Sequence, residues 1–203
     1  MRVITQVDNN TFQKHNGVGL GNFDGLHIGH MALINTLISE CKINDLHSVV
    51  YTFTKHPETI LRKGLVNRLI TTNEQKTRLL EETALDTLYY KEFDEAFSRL
   101  SPDEFIKNIL VDTLNIKLAV VGFNYRFGYL GKGDVEYLKK NGEKYGFRVI
   151  VIPPVKVKSE IVSSTLIREY IKKGKMERVF HLLGRHFSLY GTVVAGRRIG
   201  RTL

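Results

Sequence analysis

Two groups of residues in this chain have types and spacing suited to chemistry on phosphates: His27 and His30 with Gly29 between them, and Ser163, Ser164 and Thr165 followed by Arg168. Imidazole N–H groups at the start of a helix donate hydrogen bonds to triphosphate oxygens and stabilise the charge that builds on a departing pyrophosphate. A glycine beside them lets the phosphate come close to the backbone. With this composition, H-x-G-H is expected by chance only about 0.02 times, so the spacing is informative. Zinc would need more ligands than His27 and His30, and neither a helical HExxH pattern nor a cysteine pair is present to supply them. The hydroxyl run has a plain reading, as a cap for the helix that follows. Joined to Arg168 it gains another, because hydroxyl and backbone donors with a guanidinium fork complement pyrophosphate oxygens.

The elements around these residues determine whether they can act together. His27 and His30 fall between an apolar strand, GVGLGNF, and a helical pattern, HMALINTLISECK. The alternation continues through HSVVYTFT, NEQKTRLLEETAL, TLYYKEF, PDEFIKNILVDTL, KLAVVGF, DVEYLKKNGEKY and FRVIVIPP. Strand and helix taking turns predict an α/β domain with a parallel sheet, because parallel strands need a crossover to return. Ligands bind such sheets at the carboxyl ends of the strands, where the imidazoles are expected. Capping signals mark two helix starts: Thr72 with Gln75, and Ser101 with Pro102 and Glu104. The α/β pattern runs to residue 184, and residues 185–203 read as a β segment too short to fold alone.

Length and composition bound the rest. With 203 residues and 42% hydrophobic content, the chain can build one domain with a full core and a fragment of a second. Its net charge of +9 attracts polyanions, and the densest basic group is Arg197, Arg198 and Arg201. A basic nucleic-acid binding module has only that charge in its favour, since no RNP-like, zinc-finger or arginine-rich motif is present. Cys41, the single cysteine, lies in helical apolar periodicity and is expected to be a buried structural thiol. Neither an apolar run of membrane-spanning length nor a secretory signal is visible, which predicts a cytoplasmic protein without membrane partners.

Residues 21 to 30, GNFDGLHIGH, resemble the HxGH signature of the nucleotidyltransferase superfamily, and VSSTLIR at 162–168 resembles its ISSTxIR signature. Class I aminoacyl-tRNA synthetases share HxGH, but KKGKMERV at 172–179 is a poor match to their second loop. VVGFNYRFGYLGKGD at 120–134 is similar to the flavin-family pattern VGxDFRFGxxxxGD, with Asn124 in the place of Asp or Asn. YTFTKHPE resembles that family's TFxPHP stretch in His56 and Pro57 but departs from it at Thr54 and Lys55. The end, LLGRHFSLYGTVVAGRRIGRTL, is similar to the junction at which a riboflavin kinase barrel begins. By these motifs the chain resembles the bacterial FAD synthetases, the bifunctional riboflavin kinase/FMN adenylyltransferases.

That resemblance implies a Rossmann-like nucleotidyltransferase domain over residues 1–184, with helices on both faces of a parallel sheet. Residues 185–203 would then begin a truncated kinase β-barrel, so riboflavin phosphorylation would need residues missing here. The reaction implied is transfer of AMP from ATP to FMN. His27, His30 and Arg168 would be catalytic, with Gly21, Phe23, Asp24, Gly29, Ser163, Ser164 and Thr165 at ATP. Asp24 would either hold the turn or approach the nucleotide. His56, Pro57, Asn124 and Phe127 would lie at FMN. Mg²⁺ would accompany ATP, held by phosphate oxygens and water with no protein ligand named. The expected partners are ATP, FMN and, for a full-length protein, riboflavin, with no nucleic acid. A cytidylyltransferase or another HxGH enzyme is the alternative within the superfamily.

Overall fold

The computed structural model describes residues 1–8, 11–55, 68–194 and 196. Six parallel strands form one sheet: β1 (Arg2–Ile4), β2 (Asn16–Leu20), β3 (His47–Phe53), β4 (Thr87–Lys91), β5 (Ile116–Gly122) and β6 (Arg148–Ile152), in the order β1-β4-β3-β2-β5-β6. The chain moves outward from β2 through β3 to β4 and then returns to place β5 on the other side of β2. This reversal opens a crevice at the carboxyl ends of β2 and β5, where open α/β sheets bind ligands.

Alternation along the strands sends side chains to two separate cores. Val18, Val49, Tyr51, Tyr89, Ala119 and Val121 face one core, and Val50, Leu88, Tyr90, Leu118 and Val120 face the other. Helix α1 (Ile28–Ile43) covers the second face with Leu33, Ile34 and Leu37, joined by Leu80 of α2 (Asn73–Glu81). A short α3 (Glu95–Ser98) precedes α4, which opens at Pro102–Glu104 and continues as a π-helix over Phe105–Thr113. The wider winding puts Phe105, Ile106, Leu110 and Leu114 on the first core, where Leu138 of α5 (Val135–Tyr145) joins them. Cys41 is buried under α1, and burial pushes its thiol up to about 11, so it is an inert packing group as expected. Gly17 has no room for a side chain there, because a Cβ would lie 2.3 Å from the Cys41 sulfur.

Both anticipated helix starts carry full capping boxes, Thr72 with Gln75 and Ser101 with Glu104. Before the hydroxyl run the chain forms a small antiparallel hairpin, β7 (Lys156–Val157) and β8 (Glu160–Ile161). Helices α6 (Ser164–Lys172) and α7 (Met176–Leu183) follow, and Gly184 ends α7 in the left-handed conformation at φ 72°. Among the described residues after Gly184 none forms a strand. Instead the tail lies along α2, where the Gln75 side-chain amide donates to the Ser188 carbonyl at 3.1 Å.

Candidate active site

The turn between β2 and α1 is strained and heavily supported. Phe23 and Leu26 adopt positive φ angles of 49° and 38°, a conformation that costs non-glycine residues about 1–3 kcal/mol each and persists only where the surroundings enforce it. The enforcement here is polar. Asp24 is buried, and its carboxylate accepts from the Ile70 and Thr71 amides at 2.9 and 3.1 Å and from Arg168 at 2.5 Å. Arg185 donates to the Gly25 and Leu26 carbonyls at 2.7 and 3.0 Å. The Asn22 carbonyl accepts from the Lys76 ammonium at 2.8 Å and from the Thr52 hydroxyl at 3.1 Å.

This support aims the imidazoles. His27 caps α1, and its Nδ1 accepts the His30 amide at 3.1 Å. That bond fixes the neutral tautomer with the proton on Nε2, leaving Nε2 a donor. The two rings stack at 3.5 Å and 15°. Burial pushes the His27 ring down to about 4 and holds His30 well below the usual imidazole range, with the charges of His27 and Lys76 adding to the effect on His30. Both are therefore neutral near pH 7, as stacked donors must be, since two imidazolium ions in that arrangement would repel. Gly29 is needed because a Cβ would come within 3.2 Å of the His27 ring.

The hydroxyl run meets this turn directly. Ser163 caps α6 by accepting the Leu166 amide at 3.2 Å, so its plain role holds. Ser164 donates its hydroxyl to the Asp24 carbonyl at 2.9 Å, and Arg168 pairs with the Asp24 carboxylate while its Nε donates to the Arg68 carbonyl at 3.0 Å. Thr165 is exposed at the helix start. Residues more than a hundred positions apart in the chain thus share one junction, with the N-termini of α1 and α6 both opening onto it. Asp24 holds the turn through these bonds.

Two aromatic residues assigned to ligands pack inward. Phe23 is 1% exposed; its ring meets His30 edge-on at 5.3 Å and lies where a Cβ on Gly21 would come within 3.1 Å of it. It supports the imidazole, and Gly21 makes room for that ring. Phe127 is 6% exposed, packed between Phe105 and Tyr125. Asn124, in the turn after β5, is exposed at the same end of the sheet. His56 and Pro57 lie outside the described residues. Lys76 and Arg185 had not been singled out from sequence: a lysine on an amphipathic helix and an arginine past a helix end read locally as solvated charges. No cluster of three or more His, Cys, Asp or Glu that could hold a metal ion occurs among the described residues, and the donors already on Asp24 leave it poorly suited to be a metal ligand.

Known proteins bear on this geometry. Residues 9–166 match the family model described as FAD synthetase. A bifunctional riboflavin kinase/FMN adenylyltransferase of Buchnera aphidicola from Schizaphis graminum is 37% identical over all of this chain, which covers 66% of that relative. The protein of the same description from Escherichia coli K12 is 31% identical, with the same two coverages. The one from Listeria monocytogenes is 34% identical over 92% of the chain and 59% of the relative. The chain therefore spans about two thirds or less of the length of these relatives. A crystal structure described as a macrolide-efflux protein from Streptococcus pneumoniae superposes with a TM-score of 0.86 at 30% identity, over all of this chain and 66% of that one. An efflux role does not carry over from that description; among the described residues no helix is long and apolar enough to cross a membrane.

Proposed function

The chain belongs to the FAD synthetase family, and from that premise we propose that it transfers the adenylyl group of ATP to the phosphate of FMN, yielding FAD and pyrophosphate. An FMN phosphate oxygen attacks the α-phosphorus in line, forming the new P–O–P bond as the bond to the β-phosphate oxygen breaks. The nucleophile is already ionised at neutral pH, so no general base is required and catalysis comes from positioning and charge stabilisation. Neutral His27 and His30 donate to triphosphate oxygens, helped by the N-terminus of α1. Thr165 and the α6 amides receive the pyrophosphate, with Arg168 contributing the N–H groups that Asp24 and Arg68 do not occupy. Asn124 orients the acceptor from the other wall of the crevice. Mg²⁺ enters with ATP as part of the substrate, coordinated by phosphate oxygens and water.

One observation carries the reading: the Asp24–Arg168 ion pair draws the imidazole turn and the hydroxyl turn into a single site. We place the reaction in the cytoplasm, with small molecules in preference to nucleic acid or a membrane as partners, and assign the relatives' riboflavin kinase activity to the part of them that this chain does not cover. Incubation with ATP, Mg²⁺ and FMN should produce FAD and pyrophosphate in equal amounts. Turnover of CTP with an alcohol phosphate, and none of FMN, would overturn the assignment in favour of a cytidylyltransferase.

A further inference from the structure

Lys76 is a buried cation facing a cleft to which the proposed mechanism assigns no charged group, and the other lysine there, Lys55, is exposed and paired with Glu92. It lies in the first turn of α2, is 5% exposed, and donates to two neutral oxygens, the Asn22 carbonyl at 2.8 Å and the Thr52 hydroxyl at 3.4 Å. No carboxylate among the described residues lies within ion-pair distance of it. Asp24 acts on it only from beyond that distance, and a buried ammonium without a direct ion pair is costly unless something anionic completes it. The cleft it lines sits at the carboxyl ends of β2 and β3, where Asn22, Thr54, Leu69 and Asn73 form walls, with the buried Asp24, already bonded to Arg168, and the exposed Lys55, paired with Glu92 at 3.6 Å, also lining it. Those walls offer hydrogen-bonding groups at the rim and an apolar side chain beside them.

Resting on the reading above, we propose that Lys76 is a binding residue for the acceptor substrate, its ammonium providing the charge that receives the phosphate of FMN. The position supports the acceptor in preference to ATP. The triphosphate side already has the His27–His30 pair and the N-termini of α1 and α6, whereas this cleft lies on the β3 side of the turn and has Lys76 as its buried cation. The same charge acts on His30 and helps keep it neutral, so Lys76 links the acceptor side to the donors on the triphosphate. Burial pulls the ammonium down to about 8, with Asp24 opposing, so the charge begins to be lost in mildly alkaline solution.

The test compares a flavin that carries a phosphate with one that does not. Binding of FMN and of riboflavin is followed by flavin fluorescence in the wild type, in Lys76→Met and in Lys76→Arg, with thermal unfolding run alongside. Lys76→Met is expected to weaken FMN binding at least tenfold and riboflavin binding less than twofold, while ATP binding stays within twofold. Lys76→Arg should restore FMN binding and hold it level from about pH 7.5 to 9.5, the range over which wild-type affinity falls as the lysine deprotonates. Equal losses for both flavins, or a loss for ATP alone, would overturn the proposal while FAD synthesis by the wild type left the wider reading intact. Should Lys76→Met fail to fold, a Lys76→Arg protein whose FMN affinity still falls across that range would overturn it too. A wild type that binds no FMN and makes no FAD would overturn both.

Discussion

The turn after β2 and the turn after β5 stand side by side at one end of the sheet and are held by opposite means. The first is buried, strained at Phe23 and Leu26, and fixed by charged groups reaching in from α2, α6 and the C-terminal tail. The second leaves Asn124 exposed and is anchored from behind by Tyr125 and Phe127 packing into the core. Directional bonds hold a precise geometry for groups that must meet developing charge, whereas ring packing fixes only where a loop sits and leaves its polar tip able to adapt. On the proposed reading, the donors to the triphosphate are thus preorganised, and the acceptor-side contact is presented on a looser support.

The largest test of that contrast is Arg168→Ala. It leaves the Asp24 carboxylate buried beside two amides without its cation, and should cost about 3–5 kcal/mol of stability in denaturant titrations. A loss below 1 kcal/mol would show that the turn does not depend on the pair. Acid comes next. Because His27 is held at about 4 when folded and titrates near 6.5 when unfolded, the unfolded chain takes up the extra proton as pH falls between those values. The His27 contribution should be constant above about pH 6.5 and fall by about 3 kcal/mol towards pH 4, a share of the acid slope that His27→Ala removes while that of His30 stays. His30→Ala should lower the rate of FAD formation about a hundredfold, roughly 2.7 kcal/mol, with the fold retained. Turnover within about twofold of wild type would remove His30 from the mechanism. The smallest expected effect belongs to the second turn: Asn124→Ala should change stability by less than about 0.5 kcal/mol while raising the KM for FMN. If it unfolds the protein as Arg168→Ala does, the two turns are not held differently.

Local signals in the sequence carried much of this architecture. Thr72 and Ser101 announced their helices because a capping box is complete within four residues, and the imidazole and hydroxyl turns were visible because each fits in one short segment. What escaped notice depends on partners far along the chain. Nothing near Asp24 indicates that Arg168 will meet it, and nothing near Lys76 distinguishes a buried ammonium from a solvated one. The burial of Phe127 was hidden for a related reason: an aromatic residue in a glycine-rich turn can point outward or into the core, and its packing on Phe105 and Tyr125 shows which. The π winding of α4 likewise rests on the core it must reach, since its first turn carries ordinary α-helical signals.

Arg185 follows the last helix, yet its guanidinium bonds to the Gly25 and Leu26 carbonyls. A protease that trimmed the polypeptide back to Gly184 would spare every strand and helix among the described residues and still unfasten the turn that ends in His27 and leads into His30. The aim of the imidazoles thus depends on a clasp that lies just past the last described helix.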